Sequence, residues 1–151
     1  MIFWESNRNR EWVGGAETDY VTDGFAGIVD DSFSITGKGS GVNAKRQATA
    51  HPHWVGTSPD NQFLLVPDLG TDQVFQYQLN AKTGEIVLKS KIPLPPGSGP
   101  RHMKFHPSGE YAFVLNELTL TINVFHYDQS SGKFQGIQNI ETLPSELKDR
   151  H

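Results

Sequence analysis

Hydrophobic and polar positions alternate in short runs along most of this chain. From about Ala48 onward the runs are rich in β-branched and aromatic residues, and Gly, Pro, Asn, Asp and Ser cluster between them. Short alternating runs bounded by turn residues are typical of β-strands. The pattern predicts eight strands: Trp54–Thr57, Gln62–Val66, Val74–Leu79, Ile86–Ile92, His102–Phe105, Tyr111–Leu115, Thr121–Tyr127 and Phe134–Ile140.

The two ends of the chain carry weaker patterns. Asp30–Thr36 predicts one short strand, and Gly37–Gly41 has the composition of a loop. Leu143–Lys148 predicts one helical turn at most, and no segment shows a helical period with caps. We therefore expect an all-β protein.

The eight predicted strands form two repeats of four. One constant shift superposes the two halves without a gap, matching Pro52 with Pro100, Val66 with Val114 and Ile92 with Ile140. Four strands per unit of roughly 40–50 residues are typical of β-propeller blades. In a single β-sandwich, the alternative, nothing would make four-strand blocks repeat. The sequence predicts an incomplete β-propeller with two full four-stranded blades, at about 52–92 and 100–140, plus part of a third.

Composition excludes several classes of function. The net charge is −4 and the Lys and Arg residues are scattered, so we expect no nucleic-acid partner. Without cysteine, the chain has neither disulfides nor thiolate metal sites. No run approaches the length of a membrane helix and no apolar signal-peptide core follows Met1, so we expect no membrane partner and a cytoplasmic location.

Three residue types that support acid–base chemistry fall at related positions of the repeat. His53 and Arg101 occupy the same repeat position, each at the start of an innermost strand, and so they would point at the same mouth of the channel. Glu117 ends the second strand of its blade and reaches the same rim, because neighbouring strands are antiparallel. A guanidinium binds carboxylate or phosphate, while imidazole and carboxylate transfer protons. This set favours hydrolysis or lactonisation of an anionic substrate.

Structural roles are the alternative for each of these residues. His53 would then cap a strand, Arg101 would pair between blades, and Glu117 would be a surface carboxylate. The repeat counterpart of Glu117 is Leu69, however, so the blade itself does not require an acid there. Asp68, Asp72 and Asn116 are interpreted as turn residues whose side chains bond local backbone. His51 and His53 form a His-x-His pair with no third ligand nearby in the sequence, so we expect no metal site.

Several short motifs resemble the seven-bladed β-propeller lactonase family, which includes propeller-type 6-phosphogluconolactonases and fungal carboxymuconate cyclases. The resemblance covers about residues 36–150, leaves 1–35 as a poorly matching segment, and spans less than half of a family member. It places a partial lactonase domain at 36–151. The matching motifs are Arg46–Gln47, His51–His53, Ser58–Asp60, Val66–Asp72, Gly97–His102, His106–Pro107 and Asn116–Leu118.

The resemblance implies a reaction at a lactone, with a small anionic lactone as substrate and no cofactor. It assigns His53, Arg101 and Glu117 as catalytic residues, and Arg46 and His102 as substrate-binding residues. Whether His53 or Glu117 activates water stays open. Hydrolysis of a sugar lactone, as in 6-phosphogluconolactonases, is the first hypothesis. A carboxymuconate-type cyclase and a non-catalytic propeller fragment are the alternatives.

The resemblance also implies a dependence on further blades. In the family another active-site arginine comes from a later blade, which would lie beyond His151. We therefore expect this chain to be inactive or weakly active unless blades assemble in trans through their open edges.

Overall fold

The computed structural model describes residues 38–80, 82–83 and 85–144. These residues form eight β-strands and no helix, which confirms the predicted strands to within three residues at each end. The strand predicted at 30–36 lies outside the described residues, as does most of the predicted helical turn. The strands are β1 (Gly56–Thr57), β2 (Phe63–Asp68), β3 (Gln73–Leu79), β4 (Ile86–Pro93), β5 (Pro100–Phe105), β6 (Tyr111–Asn116), β7 (Thr121–Asp128) and β8 (Lys133–Glu141).

Two four-stranded antiparallel sheets contain all eight strands. Their orders are β1-β2-β3-β4 and β5-β6-β7-β8, so each strand pairs with its neighbour in the sequence, as in a propeller blade. Irregularities of the backbone repeat as well. The β3–β4 ladder shifts register between Gln76 and Tyr77, and the β7–β8 ladder does so at the equivalent repeat position, between Val124 and Phe125. The prediction of an all-β, incomplete propeller with two full blades is confirmed.

The hydrophobic core lies between the two blades. Leu65 of β2 and Val114 of β6 are fully buried in one shared cluster. Burying a side chain of this size contributes roughly 2 kcal/mol, so the packing of blade on blade holds the sheets together. The buried members of the cluster are Phe63, Leu65, Val74, Ile92, Leu94, Met103, Ala112, Val114, Phe125 and Tyr127.

The innermost segment of each blade contains a bulge near its start. Pro52 pairs with Asp68 and Gly56 with Leu65, which leaves three residues of the first segment opposite two of β2. This extra residue shortens the strand predicted at Trp54–Thr57 to Gly56–Thr57. In the second blade Pro100 pairs with Asn116 and His102 with Leu115, so that Arg101 is the extra residue. Bulges redirect side chains and are frequent beside active sites.

Candidate active site

The ends of β2 and β6 and the starts of the innermost segments meet at one rim of the blades, which we call the site rim. Arg101 lies there at the bulge of β5, and Glu117 directly follows β6. The backbone N–H of Glu117 donates to the carbonyl oxygen of Gly99 over 2.8 Å. At the equivalent position of the first blade, the N–H of Leu69 donates to the carbonyl of His51 over 3.0 Å. Both blades therefore hold the backbone in the same way at this position, although one has leucine and the other glutamate.

The carboxylate of Glu117 binds two arginines at once. One of its oxygens accepts a hydrogen bond from Nη1 of Arg101, and the other accepts one from Nη2 of Arg46. The side chain of Glu117 is 24% exposed, that of Arg101 42% and that of Arg46 50%. Ion pairs this open to solvent contribute about 0–1 kcal/mol to stability. Their main effect is to hold two cations side by side at the site rim.

The two arginines also decide the charge state of Glu117. Partial burial acts to raise the pKa of its carboxyl, but the hydrogen bonds and positive charges of Arg46 and Arg101 outweigh burial and hold the pKa below its usual value. Glu117 is therefore ionised at neutral pH and is a weak proton acceptor.

A tight turn in the segment before β1 places Arg46. Oδ1 of Asn43 accepts hydrogen bonds from the backbone N–H groups of Lys45 and Arg46, each over 3.2 Å. The N–H of Gln47 closes the same turn by donating to the carbonyl of Asn43 over 2.7 Å. Arg46 thus reaches a carboxylate 71 residues further along the chain from a locally fixed backbone.

His53 is the first of the three residues that form the bulged segment of the first blade. Its backbone N–H donates to the carbonyl of Pro67 over 3.1 Å, and its ring stacks on that of His51, with centroids 5.4 Å apart and planes at 12°. Oδ1 of Asp68 accepts the N–H of His51 over 2.8 Å and so fixes the same segment. These contacts limit the positions that the His53 imidazole can take at the site rim.

The electrostatic environment of His53 joins it to the other candidates. Burial lowers the pKa of the imidazole to about 4, with help from the positive charge of Arg101 and from His51, whereas Glu117 acts in the opposite direction. At neutral pH the ring is therefore uncharged, and it has one nitrogen that donates and one that accepts. The structure brings His53, Arg101, Glu117 and Arg46 together at one rim.

His102 lies at the margin of this group. Its side chain is exposed on β5, next to Arg101. Partial burial, followed by the positive charges of Arg101 and Lys104, lowers the pKa of its imidazole, and Glu117 partly offsets this. His102 is close enough to respond to the site charges, but the central ion pairs belong to Arg46, Arg101 and Glu117.

Two cations beside a carboxylate and a neutral imidazole suit one kind of chemistry. Guanidinium groups bind anionic groups and stabilise negative charge as it develops on a carbonyl oxygen. A neutral imidazole accepts a proton from water. Among the described residues, no group of three or more His, Asp or Glu side chains is arranged to hold a metal ion. That part of the chain also contains no helix long and apolar enough to cross a membrane.

Comparisons with known proteins agree with the fold and the motifs. A family model described as "Lactonase, 7-bladed beta-propeller" matches residues 18–151. A 6-phosphogluconolactonase from Bacillus subtilis is 34% identical over 114 residues, which cover 76% of this chain and 31% of that protein. The chain thus spans about a third of the length of this relative.

Comparison with solved structures supports the same fold. A protein from Lactobacillus plantarum superposes with a TM-score of 0.75 at 32% identity, covering 85% of this chain and 37% of the other. A periplasmic gluconolactonase from Pseudomonas aeruginosa superposes with a TM-score of 0.69 at 29% identity, covering 85% and 36% of the two chains.

Proposed function

Because the chain belongs to the family of seven-bladed β-propeller lactonases, we propose that its site rim serves the hydrolysis of a sugar lactone, as in 6-phosphogluconolactonases. The observation that carries the proposal is the binding of Arg46 and Arg101 to one carboxylate, beside the neutral imidazole of His53. In this cluster the arginines have the positive charge that binds an anionic substrate, and the imidazole is a proton acceptor. The names of the similar proteins in B. subtilis and P. aeruginosa also support a lactone as substrate.

The two arginines have the role of electrostatic stabilisers in this proposal. Water attacks the lactone carbonyl carbon, and the carbonyl oxygen gains negative charge in the tetrahedral intermediate. Arg101, at the bulge of β5, stabilises that oxygen, while Arg46 and the exposed His102 bind the anionic end of the substrate. Removing one such donor from a preorganised site costs about 100- to 1,000-fold in rate.

His53 has the role of the base. It takes a proton from the attacking water, the ring C–O bond then breaks, and the same proton passes to the ring oxygen that becomes a hydroxyl. The second proton of the former water stays on the new carboxyl group and is released to solvent when that group ionises. Both oxygens of Glu117 are engaged by guanidinium groups, which also hold its pKa low, so it acts by fixing the arginines.

Binding of an anionic substrate would make His53 a stronger base. The charge of Arg101 is the second cause of the low pKa of His53. Burial is the largest cause and persists, but an anion that neutralises Arg101 removes this second cause and so raises the pKa of His53, which makes the imidazole a better proton acceptor.

Completion of the site by further blades is part of the proposal. The structure describes two blades, whereas closed propellers have at least four. Residues from further blades would have to complete the site rim and exclude water, which weakens every electrostatic interaction that it reaches. We therefore expect association of copies through open blade edges to raise the activity.

The experiment is a substrate panel run over a range of protein concentrations. We expect 6-phosphoglucono-δ-lactone and glucono-δ-lactone to be hydrolysed and carboxymuconate to be left unchanged. The rate per chain should rise with concentration, in parallel with assembly measured by size-exclusion chromatography. Turnover of carboxymuconate alone would identify a cyclase, and assembled protein that turns over none of these compounds would identify a non-catalytic propeller.

A further inference from the structure

A buried hydrogen-bond network centred on Asp72 lies behind the site rim. Asp72 is buried, with only 7% of the residue exposed. Its Oδ1 accepts hydrogen bonds from Nε2 of Gln47 over 2.7 Å and from the N–H of Gly99 over 2.8 Å, and its Oδ2 accepts the N–H of Gly97 over 2.7 Å. The interpretation of Asp72 as a residue that bonds its local turn is wrong, since all three partners are 25 or more residues away.

One side of this network leads to Arg101 and Glu117. Gly99 donates its N–H to Asp72 and accepts the N–H of Glu117 through its carbonyl, and the bulged Arg101 lies two residues further on. Gly97 and Gly99 both have left-handed backbones, with φ of 82° and 62°. The loop has no regular ladder, and it is held by the carboxylate of Asp72 on one side and by backbone bonds such as that from Leu118 to the carbonyl of Ser98 on the other.

The other side leads to Arg46 through Gln47. The side chain of Gln47 is fully buried, and Nε2 also donates to the carbonyl of Leu69 over 2.8 Å. Its Oε1 accepts the N–H of Asn43 over 3.0 Å, which ties the turn that places Arg46. The neighbouring backbone packs closely on this side chain, because a Cβ at Gly41 would come within 2.5 Å of it.

The repeat shows that the blade itself does not need an acid at this position. The counterpart of Asp72 in the second blade is Leu120, and both have φ of 55°. Their carbonyl oxygens also make equivalent bonds, accepting the N–H of Leu94 and of Thr142, each over 2.9 Å. The same backbone thus forms with leucine, and the carboxylate is present for its contacts with the segments that carry the arginines.

We propose that Asp72 is a positioning residue that holds Arg46 and Arg101 together on Glu117. Its carboxylate joins the two segments that carry the arginines and reaches Glu117 through the carbonyl of Gly99. The effect of Asp72 on catalysis rests on the proposed function, whereas its effect on the geometry of the arginines does not.

The test is the pKa of Glu117, followed by carboxyl ¹³C NMR in the folded chain. Asp72→Asn replaces one accepting oxygen by an amide that faces backbone donors. We expect the Glu117 pKa to rise toward its ordinary value, because both arginines lose their fixed positions. Gln47→Leu releases the turn that carries Arg46 and removes one donor from Asp72, but it leaves the bonds from Gly97 and Gly99 in place. A smaller rise is therefore expected, and it serves as a second test if Asp72→Asn does not fold.

Gln76→Leu is the matched control. Gln76 is 2% exposed, and its amide donates to the carbonyl of Gly132 across the two blades, far from the site rim. This variant should lose stability without changing the Glu117 pKa. The proposal is overturned if the Glu117 pKa is unchanged in folded Asp72→Asn or Gln47→Leu, or if Gln76→Leu shifts it equally.

Turnover adds a separate readout. If the chain hydrolyses the lactone, Asp72→Asn should lower kcat/KM by roughly 10- to 100-fold, as expected for misplaced catalytic groups. A chain without lactonase activity would refute the proposed function, while the NMR result would still decide whether Asp72 positions the arginines.

Discussion

Replacement of Arg101 by alanine is expected to lower kcat/KM for lactone hydrolysis by about 100-fold or more. Arg101 is placed by the bulge of β5 and binds one oxygen of Glu117. Alanine removes the positive charge that stabilises the developing oxyanion in the proposed mechanism, and it leaves Glu117 with Arg46 alone. The measurement is the initial rate of hydrolysis over a range of lactone concentrations, under conditions in which the unsubstituted chain is active.

Lys104→Ala is the control for Arg101→Ala. Lys104 is an exposed cation on the same strand, three residues further on, so its removal changes the net charge equally. We expect its turnover to stay within about two-fold of the original, because surface charges away from a site have small effects. Arg101→Lys keeps the charge but loses the fork of donors, and an intermediate rate is expected. Turnover of Arg101→Ala equal to that of the unsubstituted chain would remove Arg101 from the mechanism.

Replacement of Gly70 by alanine is expected to destabilise the fold by about 2–4 kcal/mol. Gly70 lies in the turn between β2 and β3, and an added Cβ would come within 1.8 Å of the carbonyl oxygen of Thr49 and 2.9 Å of the backbone nitrogen of His51. Both neighbours are backbone atoms, so no side-chain rotation relieves the clash. The segment must move instead, and it is the segment that leads to His53.

Urea denaturation measures this effect. Gly136→Ala is the control, because an added Cβ there would meet its nearest atom, in the ring of Phe125, at 3.8 Å. We expect a lower midpoint for Gly70→Ala and an almost unchanged one for Gly136→Ala. Equal midpoints for the two variants would show that the segment of Thr49 is not packed on Gly70 as described.

The sequence predicted the strands and their repeat because the signals are local. Alternation of apolar residues and clusters of turn residues define each strand within a few positions, and the shift that matches Pro52 with Pro100 aligns even the bulges of β3–β4 and β7–β8. The shared rim of His53, Arg101 and Glu117 followed from the antiparallel order of the strands. The resemblance to a family added Arg46 and His102.

The features of the site that the sequence did not predict depend on contacts between distant segments of the chain. No local pattern shows that Arg46 meets Glu117 or that Asp72 bonds Gln47, since the partners are 71 and 25 residues apart in the sequence. One signal for Asp72 was nevertheless present. Its counterpart Leu120 has no side-chain oxygen, just as Leu69 has none opposite Glu117. Where one blade has a polar residue and the equivalent position of the other blade has an apolar one, the polar side chain is a candidate for hydrogen bonds between different segments of the fold.

Titration of the His53 imidazole, followed by ¹H–¹³C NMR and assigned with His53→Gln, tests most directly whether the repeat builds one shared site. In the unsubstituted chain we expect a pKa of about 4, so that the ring is neutral above this value. The pKa should rise in Arg101→Ala, which removes a positive charge, and fall further in Glu117→Gln, which removes a negative one. A His53 that titrates near its ordinary value of 6.5 and responds to neither substitution would contradict the shared site.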